Sequence, residues 1–454
     1  MLKKNQILTL DIVDLNNLGY GVAREQGGSV VFVGGAVTGD KVSAKIIKVN
    51  KRYSVARLEA VICPSPLRLD TELCSAPKSC GGCVYRYVTR ESELEMKRKY
   101  VESLMRREGL SSIKVLPTIA PSPRTHYRNK AQYPVRQGKN GATAGFFASG
   151  THKIVSGTDC ALEPPIFSEI VNTVLDFMNG HSILAYDEES GKGVVRHIYI
   201  RRAERTEQIM VCIVINDDNL DEARGLADIL FGKFKNITGL LLNVNKENTN
   251  VITGSKYITV KGVPHIEDIL CEKRFRISPD SFWQVNTVGA ECIYGIAKEL
   301  ADLDGTQNLL DLYCGTGTIG LSMADKCKTV TGVEIVEAAV NNARLNASLN
   351  EIKNAEFFCA DVSDVFTAIP DDRHFDVVIL DPPRKGTTPE LIKAISERNI
   401  PKVVYISCGP DTLARDISIF NSYGYSADTV QPVDMFPLTG HVESVVCLTR
   451  RLDN

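Results

Sequence analysis

Residues 308–320 read NLLDLYCGTGTIG, an apolar run followed by three glycines at Gly315, Gly317 and Gly320. The apolar run is typical of a buried strand, and the glycine spacing lets the backbone turn sharply into a helix. At such a turn the amide groups of the helix N-terminus face a bound ligand. The stretch therefore predicts a cofactor-binding turn in a doubly wound α/β sheet.

Three acidic residues follow the next strands of that predicted sheet. Glu334 ends one strand, Asp361 follows another, and Asp381 begins a loop that reads Asp-Pro-Pro-Arg. A carboxylate at Glu334 can accept both hydroxyl groups of a ribose, whether it belongs to a nicotinamide dinucleotide or to S-adenosylmethionine. A strand-end Asp-Pro-Pro is typical of methyltransferases that act on planar bases, and its prolines stiffen the loop. This order favours S-adenosylmethionine, because a nicotinamide oxidoreductase gives the Asp-Pro-Pro-Arg loop no role.

The pattern of the chain changes twice outside this sheet. Residues 1–62 predict short strands with glycine turns, as in a small OB-like barrel. Residues 63–90 and 124–270 predict a central α+β domain that starts with a segment rich in Cys, Pro and Gly. From residue 275 onward strands alternate with helices, as in a Rossmann-like parallel sheet. The predicted fold class is therefore α/β with an N-terminal barrel.

Local features complete this division of the chain. Residues 91–108 predict an amphipathic helix that ends at Gly109, and residues 117–123 predict a linker. Within the barrel, turns are predicted at Gly19 and Gly21.

Composition narrows the class of protein. The 454 residues, of which 43% are hydrophobic, predict several domains, and a signal core or an apolar run of transmembrane length is not found in the sequence. We therefore expect a cytoplasmic protein, in which thirteen cysteines serve as metal ligands, nucleophiles or core residues and not as a disulfide framework. The net charge is −2, but residues 1–57 hold nine Lys or Arg against four Asp or Glu. A basic barrel of this kind would suit an RNA backbone.

A thiol and a carboxylate supply the candidate chemistry. The predicted strand 402–407 ends at Cys408, and His441 and Glu443 alternate at the start of the predicted strand 442–448, so both would face one side. Carbon 5 of uracil is a poor nucleophile, but a thiolate added at carbon 6 makes it reactive toward a methyl sulfonium. A base must then remove the carbon 5 proton. Cys408 is the candidate thiol, and Glu443 is the candidate base.

Three motifs resemble those of the RNA 5-methyluridine methyltransferases: Asp-Pro-Pro-Arg, Ser-Cys-x-Pro, and Asp-x-Phe-Pro-x-Thr-x-His-x-Glu at residues 434–443. The first 62 residues resemble a TRAM domain, an OB-like barrel found on RNA-modifying enzymes. The resemblance implies a class I methyltransferase domain made of residues 91–123 and 275–454, with Cys408 as nucleophile and Glu443 as proton acceptor. The contacts to S-adenosylmethionine that it implies are Gln284, Tyr313, Thr318, Glu334, Asp361 and Asp381.

A group of cysteines predicts a metal centre. Cys74, Cys80 and Cys83 place three thiols close together, and Cys160 is the best fourth ligand, with Cys63 as the alternative. Four thiolates suit zinc or an iron–sulfur cluster equally. The resemblance implies a [4Fe-4S] cluster bound by Cys74, Cys80, Cys83 and Cys160, as in the ribosomal RNA branch of the family.

Basic side chains in the central domain are candidates for RNA contacts. Residues 124–130 interleave basic and aromatic residues, and four more basic or imidazole groups flank a predicted strand, namely Arg196, His197, Arg201 and Arg202. Such groups can bind phosphates and stack on splayed bases. The target uridine must leave its stack to reach a thiol, so a single-stranded or flipped uridine is expected.

The resemblance implies 23S ribosomal RNA as the substrate of a monomeric enzyme. The same chemistry on transfer RNA is the alternative, although that branch typically lacks the barrel and the cysteine group. An RNA-binding protein without activity is a second alternative, against which the intact Cys408 and Glu443 argue.

Overall fold

The computed structural model describes residues 2–25, 27–71, 73–77, 79–151, 153–370 and 372–451. Within these ranges, no helix combines the length and the apolar character that a membrane crossing requires. In chain order the elements are β1 (Ile7–Asp11), β2 (Asp14–Leu15), β3 (Tyr20–Arg24), β4 (Val30–Gly34), β5 (Lys41–Val49), β6 (Tyr53–Cys63), α1 (Arg90–Arg107), β7 (Lys114–Val115), β8 (Lys130–Gly138), β9 (Gly141–Phe147), β10 (Ile154–Ser156), α2 (Pro165–Gly180), β11 (Val195–Arg202), β12 (Ile209–Ile215), α3 (Ala223–Lys233), β13 (Ile237–Val244), β14 (Lys256–Gly262), β15 (Ile266–Leu270), β16 (Lys273–Ile277), α4 (Thr287–Ala301), β17 (Asn308–Leu312), α5 (Thr318–Met323), β18 (Thr329–Glu334), α6 (Glu337–Leu349), β19 (Ala355–Cys359), α7 (Val365–Ala368), β20 (Val377–Leu380), α8 (Pro389–Glu397), β21 (Lys402–Ser407), α9 (Pro410–Ser422), β22 (Tyr425–Ser426), β23 (Thr429–Val433) and β24 (Glu443–Arg450).

The N-terminal sheet has the strand order β1-β5-β6-β4-β3-β2. Its apolar side chains alternate along the strands and form a separate core. The turn predicted at Gly19 is confirmed, since Gly19 has a φ of 77°. The turn predicted at Gly21 is wrong: Gly21 lies within β3, where a Cβ would lie 2.9 Å from Ala36 Cβ and from Ile12 Cγ2. Close packing against Ile12 and Ala36, which follow β1 and β4, and not a turn, explains that glycine.

The central sheet has the order β10-β9-β8-β11-β12-β13-β14. Helices α2 and α3 pack on one face of it. Side chains from the other face, including Tyr199, Met210 and Leu241, join the core of the C-terminal sheet. The hairpin β15–β16 packs into that same core through Ile266 and Phe275. This hairpin therefore spans the predicted boundary near residues 270–275.

The C-terminal sheet positions the candidate site. Its order is β19-β18-β17-β20-β21-β24-β23-β7, with β22 paired to β24. Strands β17 to β21 are parallel, and β24 runs antiparallel to β21. Strand order reverses between β17 and β20, and ligands of such sheets bind at the carboxyl ends beside this point. The alternating strands predicted from residue 275 onward are confirmed.

The segment predicted as a linker at residues 117–123 follows an edge strand of this sheet. Strand β7 pairs in parallel with β23. Downstream of β7, the Ile119 N–H donates to the carbonyl of Pro432 at 3.0 Å, and the Ile119 carbonyl accepts from Asp434 N–H at 2.8 Å. Ile119 therefore extends the edge of the sheet, while the other residues of the segment form neither helix nor strand.

Helix α1 confirms the helix predicted at residues 91–108. Thr89 caps its start by accepting a hydrogen bond from Ser92 N–H at 3.4 Å, and Gly109 follows its end with a φ of 77°. Its apolar face, which includes Val101 and Leu104, packs with α9 and β23 in the core on one side of the sheet. An early segment of the chain thus completes the C-terminal fold.

Buried charges join α1 to the loop after β23. Lys97 Nζ lies 2.5 Å from Asp434 Oδ1 and 3.2 Å from Glu93 Oε1. Arg90 also pairs with Asp434, and Arg124 Nε lies 3.0 Å from Glu93 Oε2. Glu93, Lys97 and Asp434 are fully buried. Every charge faces an opposite charge, which offsets the cost of removing it from water.

We expect Lys97→Met to lower the free energy of unfolding by about 3–5 kcal/mol, because it leaves two buried carboxylates short of a partner. Lys99→Met is the matched control, since Lys99 is an exposed residue of the same helix, and it should change stability by less than about 0.5 kcal/mol. Urea unfolding can be followed by the fluorescence of Trp283, the single tryptophan of the chain. Equal effects of the two substitutions would contradict the prediction.

Candidate active site

The cofactor turn between β17 and α5 requires its glycines. Gly315 and Gly317 have φ angles of 54° and 80°, in the left-handed region that favours glycine. A Cβ on Gly320 would lie 2.8 Å from Asp311 Oδ2, and the Gly320 N–H donates to that oxygen at 2.9 Å. Backbone conformation and close packing therefore explain all three glycines of the predicted motif.

Glu334 ends β18 with its carboxylate held by the backbone. Its Oε2 accepts from Gly315 N–H at 3.2 Å, and its Oε1 accepts from Val336 N–H at 2.9 Å. The side chains of Ile335 and Val336 are 61% and 53% exposed. A fixed carboxylate thus stands beside an open apolar surface at the carboxyl end of the sheet.

Tyr313 and Asp361 follow neighbouring strands at the same end. Tyr313 has a φ of 63°, and its hydroxyl lies 3.2 Å from Thr387 Oγ1. Asp361 is exposed, and its Oδ1 accepts from Ser363 N–H at 2.9 Å. Hydrogen bonds from Ser363 lower the pKa of Asp361. Tyr313, Glu334 and Asp361 therefore all lie at the carboxyl ends of neighbouring parallel strands.

Two further predicted cofactor residues lie beside α4 and α5. Thr318 Oγ1 lies 3.1 Å from the hydroxyl of Tyr294, a buried residue of α4. Gln284 lies in the segment that precedes α4, and its backbone carbonyl accepts from Asn129 Nδ2 at 2.9 Å. Phe282 in the same segment is 71% exposed. Sequence reasoning assigned Phe282 no role, although it lies two residues before Gln284.

The loop that begins at Asp381 is held by α9. Asp416 is fully buried and accepts from Tyr405 Oη at 2.6 Å and from Thr387 N–H at 3.0 Å. Arg415 donates to Asp416 and to the carbonyl of Thr387. Sequence reasoning missed this support, because neither Arg415 nor Asp416 lies in a recognisable motif.

Cys408 and Glu443 come together at the ends of adjoining strands. Ser407 of β21 pairs with Ser444 of β24. In this antiparallel register the next pair beyond the carboxyl end of β21 is Cys408 and Glu443. Cys408 is half-buried and Glu443 is buried. A thiol and a carboxyl group thus adjoin each other beside the crevice.

Burial makes the carboxyl groups of this site weak acids. It raises the pKa of Glu443 to about 8, with the charge of Asp381 adding to the effect, and it raises the pKa of Asp381 to about 7. Burial, reinforced by Glu443 and Asp381, raises the pKa of the Cys408 thiol to about 11. The Arg384 guanidinium opposes the shifts of Cys408 and Glu443. The arrangement can therefore hold and release a proton near neutral pH.

The loop before Glu443 is fastened to α1. The Leu438 N–H donates to Glu93 Oε1 at 2.6 Å, and Lys97 Nζ donates to the carbonyl of Phe436 at 3.1 Å. His441 lies in this loop and is exposed, whereas Glu443 is buried as the first residue of β24. The expectation that both face one side of a strand is wrong, because β24 begins only after His441.

The four candidate ligand cysteines lie in one neighbourhood. Burial, together with the charges of Cys74 and Cys80, raises the pKa of Cys83 to about 12. Burial and the charge of Glu163 raise the pKa of Cys160, with smaller contributions from Cys83 and Cys74. The four cysteine sulfurs are therefore of the chemical type that binds zinc or an iron–sulfur cluster. In the described part of the chain, however, no three His, Cys, Asp or Glu side chains are arranged to hold a metal ion.

Most of the basic candidates in the central domain have internal partners. Arg124 donates to Glu93 and to the carbonyls of Tyr85 and Val88. Buried Arg196 and Arg201 donate to backbone carbonyls at 2.7–3.1 Å. The hypothesis that these three arginines bind RNA phosphates is wrong, because their guanidinium groups are used to hold the fold together.

The strand order and the crevice define a class I, S-adenosylmethionine-dependent methyltransferase with an appended RNA-binding barrel. The chain belongs to the tRNA (uracil-5-)-methyltransferase family, whose model matches residues 89–451. A TRAM-domain model matches residues 2–58. The chain is therefore an RNA methyltransferase, as the motifs predicted.

Similar proteins cover nearly the whole chain. An uncharacterized RNA methyltransferase of Clostridium acetobutylicum is 39% identical over 452 residues, which are 99% of this chain and 98% of that protein. One of Bacillus cereus is 37% identical over 453 residues, 99% and 97% of the two chains. The crystal structure of the Pyrococcus abyssi tRNA (uracil-54, C5)-methyltransferase with S-adenosyl-L-homocysteine matches with a TM-score of 0.78 and 26% identity, over 97% of this chain and 100% of that one.

Glu443→Gln should stabilise the protein at alkaline pH. A carboxyl group whose pKa rises to about 8 on folding favours the folded state while it is protonated, and that contribution is lost as the pH rises through 8. The variant should therefore exceed the wild type in unfolding free energy by at least about 1 kcal/mol at pH 8.5, with a smaller difference at pH 5.

Urea unfolding across this pH range measures the effect. Glu189→Gln is the control, because Glu189 is exposed and its replacement should leave the pH dependence unchanged. A Glu443→Gln variant that is less stable than the wild type at pH 8.5 would contradict the role of burial.

Proposed function

We propose that this protein methylates carbon 5 of uridine in RNA through a covalent bond between Cys408 and carbon 6. The observation that carries the proposal is the adjacency of Cys408 and Glu443 at the ends of β21 and β24, beside the loop that carries Asp381 and Arg384. A uracil ring inserted there would meet a nucleophile and a base within one crevice.

The chemistry balances with these two residues. The Cys408 thiolate adds to carbon 6, and the displaced electron pair makes carbon 5 nucleophilic. S-adenosylmethionine, when bound, supplies the methyl group that carbon 5 takes. Glu443 accepts the proton of carbon 5, the double bond between carbons 5 and 6 forms again, and the carbon–sulfur bond breaks. The sulfur of Cys408 leaves as a thiolate.

Electrostatics support the role of Glu443, because a base with a pKa of about 8 is matched to proton transfer near neutral pH. Burial raises the pKa of Cys408 to about 11, and the Arg384 guanidinium offsets only part of that shift toward the neutral thiol.

We assign the cofactor to the crevice at the carboxyl ends of β17 to β20. Glu334 would accept the ribose hydroxyls, and the exposed Ile335 and Val336 beside it would suit the adenine face. The side chains assigned to the cofactor are Gln284, Tyr313, Thr318, Glu334, Asp361 and Asp381.

The proposed substrate is 23S ribosomal RNA, and the grouped cysteines support that branch of the family. Transfer RNA is a second candidate, because the similar Pyrococcus abyssi enzyme is a tRNA methyltransferase. That match covers 97% of this chain, so it extends into the N-terminal barrel. The barrel therefore does not separate the two substrates.

Glu443→Gln should trap RNA on the protein, because methyl transfer proceeds but the carbon 5 proton stays in place. The adduct, which resists denaturation on a gel, should form with Cys359→Ala/Glu443→Gln, since Cys359 is an exposed thiol outside the pair. It should not form with Cys408→Ala/Glu443→Gln. Cys408→Ala alone should lower turnover by more than about 1000-fold.

Sequencing of the trapped RNA identifies the substrate. With total RNA from a strain that lacks the protein, the adduct should carry 23S ribosomal RNA fragments. Transfer RNA in the adduct would favour the second candidate. An adduct that still forms without Cys408 would overturn the covalent scheme.

We further propose that Cys74, Cys80, Cys83 and Cys160 bind a [4Fe-4S] cluster. After burial, the Cys74 and Cys80 thiols contribute most to the raised pKa of Cys83, and this proximity of the three thiols supports a shared site. Arg86 supports it too, because its guanidinium donates to the carbonyls of Cys74 and Ala76 and so orders the ligand loop. No step of the methylation scheme uses this group.

Protein purified without oxygen should be brown and contain about four irons per chain. Cys83→Ser should lower the iron content and bleach the brown colour, because it removes one of the thiolate ligands. Cys359→Ser is the matched control and should keep both. A colourless protein that holds zinc would overturn the proposal.

We also propose the domain division 1–62, 63–90 with 124–270, and 91–123 with 275–454, for a cytoplasmic monomer. The three sheets and the packing of α1 on α9 support this division.

A further inference from the structure

The turn between β2 and β3 of the N-terminal sheet lies against the loop that leads to Glu443. A Cβ on Gly440 would lie 1.7 Å from the carbonyl oxygen of Asn17, so the two backbones are in direct contact. On its other side, a Cβ on Gly19 would lie 2.6 Å from Val84 Cβ. The turn is therefore held between the segment that follows Cys83 and the loop of residues 434–442, which leads to Glu443 and is called the catalytic loop below.

The turn has a defined shape. Asn16 Oδ1 accepts from Leu18 N–H at 3.1 Å and from Tyr20 N–H at 2.9 Å. Tyr85 Oη donates to the Asn16 carbonyl at 3.4 Å, and Gly19 N–H donates to the same carbonyl at 3.0 Å. These bonds fix the backbone of Leu18 relative to the catalytic loop.

Leu18 at the tip of this turn is 63% exposed, although its neighbours Asn17 and Gly19 are not. Arg384, Lys385 and His441 are exposed, and burial together with the charge of Arg384 lowers the pKa of His441. Cationic groups beside an exposed apolar tip fit a nucleic acid, because phosphates pair with the cations and bases stack on the apolar group.

We propose that Leu18 is a wedge that enters the RNA stack beside the target uridine and holds that uridine out of the stack. This inference rests on the proposed function, because it gives the partner of Leu18 as the RNA that presents uridine to Cys408. An apolar side chain that separates neighbouring bases lowers the cost of extruding a nucleotide. The contact between Asn17 and Gly440 holds Leu18 in a fixed position relative to Glu443, the proposed proton acceptor.

Leu18→Ala tests the proposal, with Leu184→Ala as the matched control, since Leu184 is a 52% exposed leucine of the central part of the chain. Two RNAs are compared: a stem–loop that carries the methylated uridine, and a single-stranded oligonucleotide with the same loop sequence. Leu18→Ala should lower kcat/KM on the stem–loop by roughly tenfold or more, because the variant no longer offsets part of the free energy needed to unstack the neighbouring bases. On the oligonucleotide it should stay within about twofold, because no stack has to be opened.

A binding readout separates this inference from the proposed function. 2-Aminopurine is placed next to the target uridine of the stem–loop, and its fluorescence should rise when Cys408→Ala binds, because the base loses its stacking partner. Cys408→Ala/Leu18→Ala should bind without that rise, whereas Cys408→Ala/Leu184→Ala should keep it.

Equal losses on both RNAs, or an unchanged fluorescence rise without Leu18, would overturn the wedge. If the unsubstituted protein methylates neither RNA, the proposed function fails. The fluorescence on the stem–loop then still decides whether Leu18 opens the stack, since that measurement needs binding and not turnover.

Discussion

A buried ion network between α1 and the loop after β23 is the constraint on which the site depends. Glu93, Lys97 and Asp434 are removed from water together, so none of them can move without leaving a charge unpaired. The same side chains bond the backbone at Phe436 and Leu438. The first turns of an N-terminal helix thereby set the path of the chain into Glu443, and the contact of the barrel with Gly440 depends on that path.

Burial then sets the chemistry of the site. Burial raises the pKa of Glu443 and of Asp381. The charge of Asp381 raises the pKa of Glu443 further, and the charges of both carboxyl groups raise the pKa of Cys408. Such a site destabilises the folded protein at high pH, while it keeps a carboxyl group whose pKa would suit the proton transfer that we propose. Arg384 moderates this effect, and Asp416 holds the loop from which Arg384 projects. Support from α9 is thus coupled to the reactivity of Cys408.

Much of the parallel sheet could be predicted from the sequence, because buried strands leave continuous apolar runs and the cofactor turn needs glycine. The strand at 402–407 has the predicted bounds, and Glu334 ends a strand as predicted. The predictions for Gly21 and His441 failed for a common reason. A glycine can serve a turn or a close contact, and an alternating pattern can begin before its strand does. Only the packing of neighbouring strands distinguishes these cases.

The sequence by itself determined the family, because the glycine turn, Cys408 and Glu443 lie in local motifs whose residue types the proposed reaction requires. Tertiary structure alone decided which charged residues serve the fold and which face the crevice. Arg124 and Arg201 are of the residue type that binds RNA phosphates, yet both donate hydrogen bonds to buried backbone carbonyls. Residues far apart in the chain decide whether a guanidinium donates to a backbone carbonyl or stays free to bind a phosphate. The reason is that the free-energy cost of burying a charge is offset only by the partner that folding brings to it.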